Sequence, residues 1–429
     1  MSHGVEPARS LPPAVHTELG RALAGVDAEL ARRYPGDPGT RQPVHTVYVP
    51  ADRYTAATPA DWGRAALDLL DRHAPDPAAL ATALDLPGGQ ADDLLARVRA
   101  KLAAEPVEDL RIDFEDGFTP RAAAAEDAVA AEAARQVATA QAEGLGPPFV
   151  GIRCQSLEAP VRDRALRTLD VFLTALLAHG PLPDGLRLTL PKVSHAQQVA
   201  AMARLCGALE RACGLPDGRL RFEIQIETPQ AVLGPDGAAT VARFVDHGEG
   251  RVDGLHYGTF DYSAALGISA AHQAPDHPAA DHAKAVMQLA AAGTGVRLSD
   301  GSTQVLPVGP TEHVHAAWRT HHRLVTRALA RGYYQGWDMH PGHLPTRYAA
   351  VYAFYRAGLD DAARRLADYV AGTRGALLDE PATARALAGF LLRGLRCGAF
   401  TEPEVTGRTG LTLERVTAHA APRPTPGAR

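Results

Sequence analysis

The sequence has few cysteines and no long apolar run. Four cysteines occur among 429 residues, none forms a Cys-x-x-Cys pair, and no secretory signal opens the chain, so we expect reduced thiols and a cytoplasmic protein. The lack of an apolar run of about 18 residues predicts no transmembrane helix. Basic residues are not in excess, since 44 lysines and arginines face 49 acidic residues. This balance disfavours nucleic-acid and membrane partners and leaves small anionic substrates open.

Several cofactor motifs are missing as well. P-loop and dinucleotide-binding glycine patterns do not occur, and the 18 histidines contain no His-Glu-x-x-His pattern. His313, His315, His321 and His322 fall on one predicted helix. Their spacing does not place two ligands on one helix face, so we interpret them as ordinary helix residues.

Short apolar runs alternate with longer Ala/Leu-rich stretches along the chain. Helical patterns such as Arg121–Glu143 and Val161–His179 separate most of the runs. This alternation predicts parallel β-α-β units, and eight strands predict a closed (β/α)₈ or TIM barrel. The predicted strands are His45–Pro50, Leu110–Phe114, Phe149–Arg153, Leu186–Pro191, Leu220–Glu227, Gly254–Gly258, Thr303–Val308 and Gly336–His340.

Segments outside these units predict additions to the barrel. We assign the barrel to residues 41–350, with a helical insertion at 59–105 after the first strand. A C-terminal helical extension follows at 351–420, with separate helices predicted at Tyr348–Ala357, Asp360–Val370 and Ala382–Arg396. Residues 1–40 are expected to be partly disordered, and the Pro/Arg/Gly-rich tail 421–429 to be disordered.

Polar side chains follow the second, third and fourth predicted strands, where TIM barrels carry their active sites. Asp113, Glu115 and Asp116 close the second strand, either as a catalytic cluster or as a solvated acidic loop with a helix cap. Arg153 ends the third strand, either as a cation facing the barrel mouth or as a salt-bridge partner of these acids. Lys192 follows the fourth strand and can bind a carboxylate, form a Schiff base or lie on the surface.

Acidic residues follow the fifth and sixth strands. Glu227 and Asp261 lie one β-α unit apart, and Mg²⁺ takes one or two carboxylates plus waters and substrate oxygens. We therefore interpret the pair as ligands of Mg²⁺ or Mn²⁺. The alternative is helix capping by Asp261 and an indirect role for Glu227. His340 ends the last strand, where it can orient substrate or cap the next turn.

Taken in order, these motifs resemble the citrate lyase beta-subunit / HpcH–HpaI aldolase family of the phosphoenolpyruvate/pyruvate-barrel superfamily. The chain reads YVP, DFED, IRC, LPK, IET, GTFD…ALG and GWDMHP where the family has V-P, D-L-E-D, R-V-N, L-P-K, I-E-T, G-x-x-D…L-G and G-x-x-x-I-H-P. The resemblance implies a TIM barrel, usually oligomeric. It also implies Mg²⁺ on Glu227 and Asp261, substrate contact by Arg153, and the DFED acids beside the metal pocket.

The chain departs from the family pattern at three places, the first of which is the unusually long insertion between the first two strands. Cys154 and Gln155 follow the arginine instead of V-N, and the second-strand motif ends in Glu115-Asp116 instead of the Glu-His pair of pyruvate-type aldolases. The citrate lyase/malyl-CoA branch is therefore the closer match, and the chain represents a divergent subfamily. That branch often uses an aspartate from a C-terminal segment, for which the candidates are Asp360, Asp361 and Asp379.

Together these residues predict a carbon–carbon lyase or aldolase that acts on a 2-oxo or 2-hydroxy acid, free or as a CoA thioester, through an enolate. In this prediction Arg153 stabilises the enolate, and Lys192 and His340 bind substrate. The alternatives are a malate-synthase-like or thioesterase reaction on an acyl-CoA, with Arg53 as a phosphate contact, and a non-catalytic barrel scaffold. Phosphoryl chemistry on phosphoenolpyruvate is disfavoured because the sequence shows no phosphohistidine partner domain.

Overall fold

The structure is a computed structural model that describes residues 10–87, 89, 91–119, 121–372 and 380–421. Its centre contains the strands β1 (His45–Pro50), β2 (Asp109–Asp113), β3 (Phe149–Arg153), β4 (Leu186–Leu190), β5 (Phe222–Ile226), β6 (Val252–Tyr257), β7 (Arg297–Ser299) and β8 (Gly336–Asp338). They form one parallel sheet in the order β7-β6-β5-β4-β3-β2-β1-β8. A parallel bridge from Ser299 to Gln335 joins β7 to the residue before β8. The predicted TIM barrel is confirmed.

Helices surround this barrel. Those of the described residues are α1 (Pro13–Arg33), α2 (Thr58–His73), α3 (Pro77–Leu84), α4 (Ala91–Ala104), α5 (Ala123–Ala142), α6 (Arg162–His179), α7 (Ala196–Cys213), α8 (Pro229–Val232), α9 (Thr240–His247), α10 (Thr259–Ala265), α11 (Pro278–Ala291), α12 (Thr311–Ala330), α13 (Leu344–Ala371), α14 (Pro381–Arg396), α15 (Glu402–Thr409) and α16 (Leu413–Ala420). Helices α2, α3 and α4 lie between β1 and β2. Within the described ranges, no helix combines the length and apolar character needed to cross a membrane.

A buried charged layer fills part of the barrel interior. The Nε and Nη2 atoms of Arg111 on β2 donate to the two carboxylate oxygens of Glu223 on β5, at 3.0 and 2.6 Å. Arg111 also pairs with Asp109, and Glu223 accepts from Thr189 at 2.7 Å. Since a buried charge is costly unless it is paired, this network fixes the inward faces of three strands. The network therefore restrains β2, β4 and β5 below their carboxyl ends, where the polar residues of the site lie.

The seventh strand differs from the prediction. Thr303–Val308 was predicted as the strand, but β7 is the three-residue segment Arg297–Ser299 and residues 303–308 are irregular. Val305, Leu306 and Val308 are about half exposed, and Pro307 has no N–H for a strand ladder. The prediction was wrong because the real strand is short and begins with arginine, which leaves almost no apolar pattern.

The first two helices predicted after the barrel are one helix. Helix α13 runs without a break from Leu344 to Ala371, across the predicted barrel boundary at 350 and across Gly358. The predicted end at Ala357 was wrong because Gly358 serves packing. A Cβ atom there would lie 2.7 Å from Cζ of the Phe390 ring on α14. The glycine thus permits the close approach of α13 and α14.

Candidate active site

The carboxyl ends of β2 and β3 bring an aspartate and an arginine together. Asp113 and Arg153 are register partners in the last positions of these strands. The guanidinium donates from Nε to Oδ1 and from Nη2 to Oδ2, both at 2.7 Å. The same oxygens accept the backbone N–H groups of Glu115 at 3.0 Å and Gly117 at 2.9 Å. All the acceptor positions of Asp113 are therefore engaged, so this residue positions Arg153 and the acidic turn.

The remaining guanidinium nitrogen of Arg153 faces the barrel mouth. The Cζ atom lies 4.8 Å from the ring centroid of Tyr48 and 5.6 Å from that of Trp337. The Nη1 atom lies 3.1 Å from Glu115 Oε2 and 3.4 Å from Gln225 Oε1. Burial opposes the charge of Arg153, but neighbouring carboxylates raise its pKa further, so it stays cationic. The sequence did not point to Tyr48, Trp337 or Gln225, because aromatic and amide side chains within strands most often serve packing and not binding.

Lys192 lies at the centre of an acidic cluster. It follows β4 with a φ angle of 51°, a left-handed conformation that is uncommon for residues other than glycine. Its Nζ atom lies 3.1 Å from Glu115, 3.2 Å from Asp116 and 3.1 Å from Asp261. Its backbone N–H donates to Glu227 Oε1 at 2.6 Å. The lysine is thus part of this cluster and not a solvated surface residue.

Glu227 and Asp261 approach Lys192 from two adjacent strand ends. Glu227 directly follows β5 and is buried. Gly258 directly follows β6 and lies against Glu227. A Cβ atom at this position would lie only 2.7 Å from Glu227 Oε2. Asp261 lies in the first turn of α10, and Gly258 occupies the N-cap position of that helix. The alternative interpretation of Asp261 as a helix cap is therefore wrong.

The donor chemistry of this mouth fits a divalent cation such as Mg²⁺ or Mn²⁺. Carboxylate oxygens are the ligands that these ions prefer, and Glu227 and Asp261 are the pair that would hold the ion. Negative charge is in excess at this end of the barrel. Two cationic side chains, those of Arg153 and Lys192, face five carboxyl groups: Asp113, Glu115, Asp116, Glu227 and Asp261.

Two acids of the cluster titrate closer to neutral pH than usual. Burial raises the pKa of Glu115 to about 8, although Arg153 and Lys192 oppose this shift. Burial also raises the pKa of Glu227 to about 6, against the same two cations. For Asp116, burial is outweighed by the hydrogen bond with Glu115 and by Lys192, so its pKa is lowered. A carboxyl group that holds a proton near neutral pH has the property required of a general acid or base.

The other predicted residues do not join this cluster. The Nδ1 atom of His340 accepts the Gly342 N–H at 3.0 Å and caps the turn after β8, as its alternative interpretation predicted. Asp360 and Asp361 lie on α13 and pair with arginines of α15 and of α13 itself. Asp379 lies outside the described residues.

A second group of potential ligands lies elsewhere in the protein. His321, Asp338 and His343 are buried and place one ligand atom each within 4.8 Å of one another. Their spacing did not reveal them, because they come from α12, from β8 and from the turn after β8. Arg347 donates to Asp338 Oδ1 at 2.8 Å from Nη2 and to Oδ2 at 3.1 Å from Nε. Because a cation there would meet this guanidinium, we interpret the group as structural.

The fold and the mouth define a class of protein, a TIM barrel with a buried arginine and a carboxylate cluster at its strand ends. The chain belongs to the family described as Domain of unknown function (DUF6986), whose model matches residues 23–424. Comparison with functionally curated proteins finds no match.

Several solved structures are similar to this chain. Haloferax volcanii malate synthase in its magnesium/glyoxylate complex has 15% identity and a TM-score of 0.45, over 89% of this chain and 98% of that one. Protein CitE from Mycobacterium tuberculosis, in complex with magnesium, acetoacetate and coenzyme A, has 18% identity and a TM-score of 0.47, over 84% and 99%. The M. tuberculosis citrate lyase beta subunit complexed with oxaloacetate and magnesium has 18% identity and a TM-score of 0.40, over 75% and 99%.

The citrate lyase beta subunit, whose family the sequence motifs resemble, is among these similar structures.

Proposed function

We propose that this protein is a metal-dependent carbon–carbon lyase or aldolase that acts on a 2-oxo or 2-hydroxy acid through an enolate. One observation carries the proposal. Lys192 binds the acids that follow β2, β5 and β6, next to the buried guanidinium of Arg153. Gathering like charges costs free energy, and a scaffold gains nothing from it. The arrangement therefore favours an enzyme over a non-catalytic barrel.

The side chains of the mouth divide the work. Glu227 and Asp261 would hold Mg²⁺ or Mn²⁺, which would supply Lewis-acid polarisation of a substrate oxygen. Arg153 directs Nη1 at the negative charge that develops on the enolate oxygen, where burial strengthens the interaction. Asp113 orients Arg153 through the other two nitrogens. Lys192 binds the substrate carboxylate.

Glu115 is the residue that we assign to proton transfer. One of its carboxylate oxygens lies 3.1 Å from Arg153 Nη1 and the other lies 3.1 Å from Lys192 Nζ. During cleavage, Glu115 as a carboxylate accepts the proton of the substrate hydroxyl group while the carbon–carbon bond breaks, and as an acid it then donates this proton to the enolate carbon. The reverse of the second transfer removes a proton from the carbon beside the carbonyl group, and this is the exchange that NMR detects. Asp116 is half exposed and adjoins Glu115, so it connects this proton to solvent.

An acyl-CoA substrate is the alternative that we retain. Arg53 lies in the turn after β1 with its side chain exposed, where it can contact the phosphates of CoA. The same enolate chemistry then gives a malate-synthase-like or thioesterase reaction. A substrate role for His340, a homo-oligomeric assembly and a cytoplasmic location remain predictions.

Proton NMR in D₂O tests the proposal. The protein is incubated with pyruvate or with acetyl-CoA and glyoxylate, each with Mg²⁺ or with EDTA. Metal-dependent loss of the pyruvate methyl signal indicates a pyruvate enolate, and metal-dependent malyl-CoA or malate formation indicates the acyl-CoA branch. Metal-independent conversion, or none with a wider panel of 2-oxo and 2-hydroxy acids, counts against the proposal.

Two substitutions test the metal assignment in the same assay. Glu227→Gln and Asp261→Asn keep the side-chain shapes but remove the charges, so each is expected to abolish conversion. Glu18→Gln on the exposed face of α1 is the matched control. Full activity in either site variant would overturn the assignment.

A further inference from the structure

A second cavity lies at the opposite end of the barrel. It has a volume of about 250 Å³ and is bounded by the segment before β1, the start of β7, the residues before β8 and helix α14. Active sites of TIM barrels lie where the strands end, whereas this cavity lies where they begin. It is therefore separate from the acidic mouth. The polar and aromatic residues around it include Thr40, Arg297, Tyr334, Tyr355, Arg393 and Arg396.

Positive charge is in excess around this cavity. Arg393 Nη2 donates to Asp37 Oδ2 at 2.9 Å, which engages the acid that lines the cavity. Arg297 donates to the hydroxyl group of Thr40. Arg396 has neither a hydrogen bond nor an ion pair with any part of the chain that the structure describes. Three guanidinium groups thus meet one carboxylate.

Two of these arginines lack the close counter-charge that Arg153 has. Arg297 and Arg396 are both half-buried. Burial lowers the pKa of each. Asp253 and Asp37 offset this only in part for Arg297, and Asp37 only in part for Arg396, because Asp253 is already paired with Arg187 and Asp37 with Arg393. A half-buried cation without a counter-ion costs free energy. A bound anion would supply the missing charge.

We propose that this cavity binds a small dianion, a phosphate monoester or a dicarboxylate, through Arg297 and Arg396. The guanidinium fork matches the oxygen geometry of both groups. The cavity suits a small metabolite, because drug-sized ligands occupy roughly 300–1,000 Å³. Tyr334 and Tyr355 provide ring surface for its carbon atoms. The ligand would bridge Arg396 at the end of α14 and Arg297 at the start of β7. This binding does not depend on the reaction proposed for the opposite end of the barrel.

Isothermal titration of the full-length protein tests this site. The probes are inorganic phosphate, glycerol 3-phosphate and succinate, titrated at constant ionic strength. At least one is expected to bind saturably with one site per chain and to raise the thermal unfolding temperature. Binding of the phosphates alone identifies a phosphate site, and binding of succinate alone identifies a dicarboxylate site. Absence of saturable binding by all three overturns the proposal.

Variants locate the binding. Arg297→Gln and Arg396→Gln are each expected to weaken binding by about 10-fold or more, since each removes a charge-assisted contact. Arg204→Gln removes an exposed arginine of α7 and is expected to leave binding unchanged. Arg396→Gln is the safer variant for folding because it breaks no hydrogen bond or ion pair with the described residues. Glu227→Gln at the acidic mouth is expected to retain full binding. Unchanged affinity in both arginine variants, or its loss in Glu227→Gln, contradicts the assignment.

Discussion

The Lys192 ammonium nitrogen and the Asp261 carboxylate lie 3.1 Å apart. A cation of the protein thus stands among the oxygens that we propose as metal ligands. The backbone N–H of the same lysine binds Glu227, the other proposed ligand, at 2.6 Å. Removal of the ammonium charge should therefore affect metal affinity without removing the backbone contact.

Lys192→Met is expected to bind Mn²⁺ more tightly than the wild type, by about 10-fold, because one like charge near the ion is lost. Conversion of substrate should fall, since the proposed contact to its carboxylate is gone. Titration calorimetry with Mn²⁺ measures the affinity. Lys101→Met removes the same charge beside Glu105 and Glu108 and should leave Mn²⁺ affinity unchanged. Weaker Mn²⁺ binding by Lys192→Met would argue that the lysine does not compete with the ion.

Gly258→Ala is expected to weaken metal binding by about 10-fold or more. The added Cβ would lie 2.5 Å from Glu227 Cβ, so the glutamate must shift, and Mg²⁺ demands near-ideal ligand geometry. Gly407→Ala on α15 is the control, because its Cβ would meet nothing within 4 Å. The same titration applies, and equal affinity in both variants would show that Glu227 does not need its present position.

Arg153→Lys is expected to lower the rate of enolisation at least 100-fold. Lysine keeps the charge, but its single nitrogen cannot donate to both carboxylate oxygens of Asp113 and also to the enolate oxygen of the substrate. The free energy of unfolding should fall by about 1–3 kcal/mol, because hydrogen bonds to a buried carboxylate are lost. NMR exchange and urea unfolding measure the two effects. Arg167→Lys, in the exposed pair with Asp127, should change neither. A wild-type rate in Arg153→Lys would remove this residue from the mechanism.

Stability is expected to fall below about pH 6.5, the ordinary histidine value, partly because of His343. Burial and the charge of His321 lower the pKa of His343 to about 3. Since the folded value lies below the unfolded one, the unfolded chain binds the extra proton as the pH falls. The stability from the neutral ring is thus complete above about pH 6.5 and is lost progressively toward pH 3.

His343→Asn should reduce the slope of unfolding free energy against pH in this window, by up to about 1.4 kcal/mol per pH unit. Urea unfolding at several pH values measures it, with His16→Asn on exposed α1 as the control. An unchanged slope would mean that His343 binds protons equally in the folded and unfolded states, which contradicts its lowered pKa.

The sequence predicted best the features encoded within a few residues. β1 and β3 have the predicted bounds, because their apolar runs are continuous and bounded by turns. Lys192 and Glu227 were singled out because each follows a strand, and strand ends of a barrel meet. Features formed by residues that are far apart in the sequence were not predicted. The Tyr48 and Trp337 rings around Arg153, and the His321 group, depend on packing between distant elements.

Mn²⁺ titration of the wild type, Glu227→Gln and Asp261→Asn is the most direct test of the proposed metal centre. We expect one tight site per chain in the wild type, strengthened by the 2-oxo acid analogue oxalate, and at least about 100-fold weaker binding in each variant, because each loses one of the two carboxylate ligands. Absence of a tight site in the wild type, or equal affinity in all three proteins, would contradict a metal centre at Glu227 and Asp261.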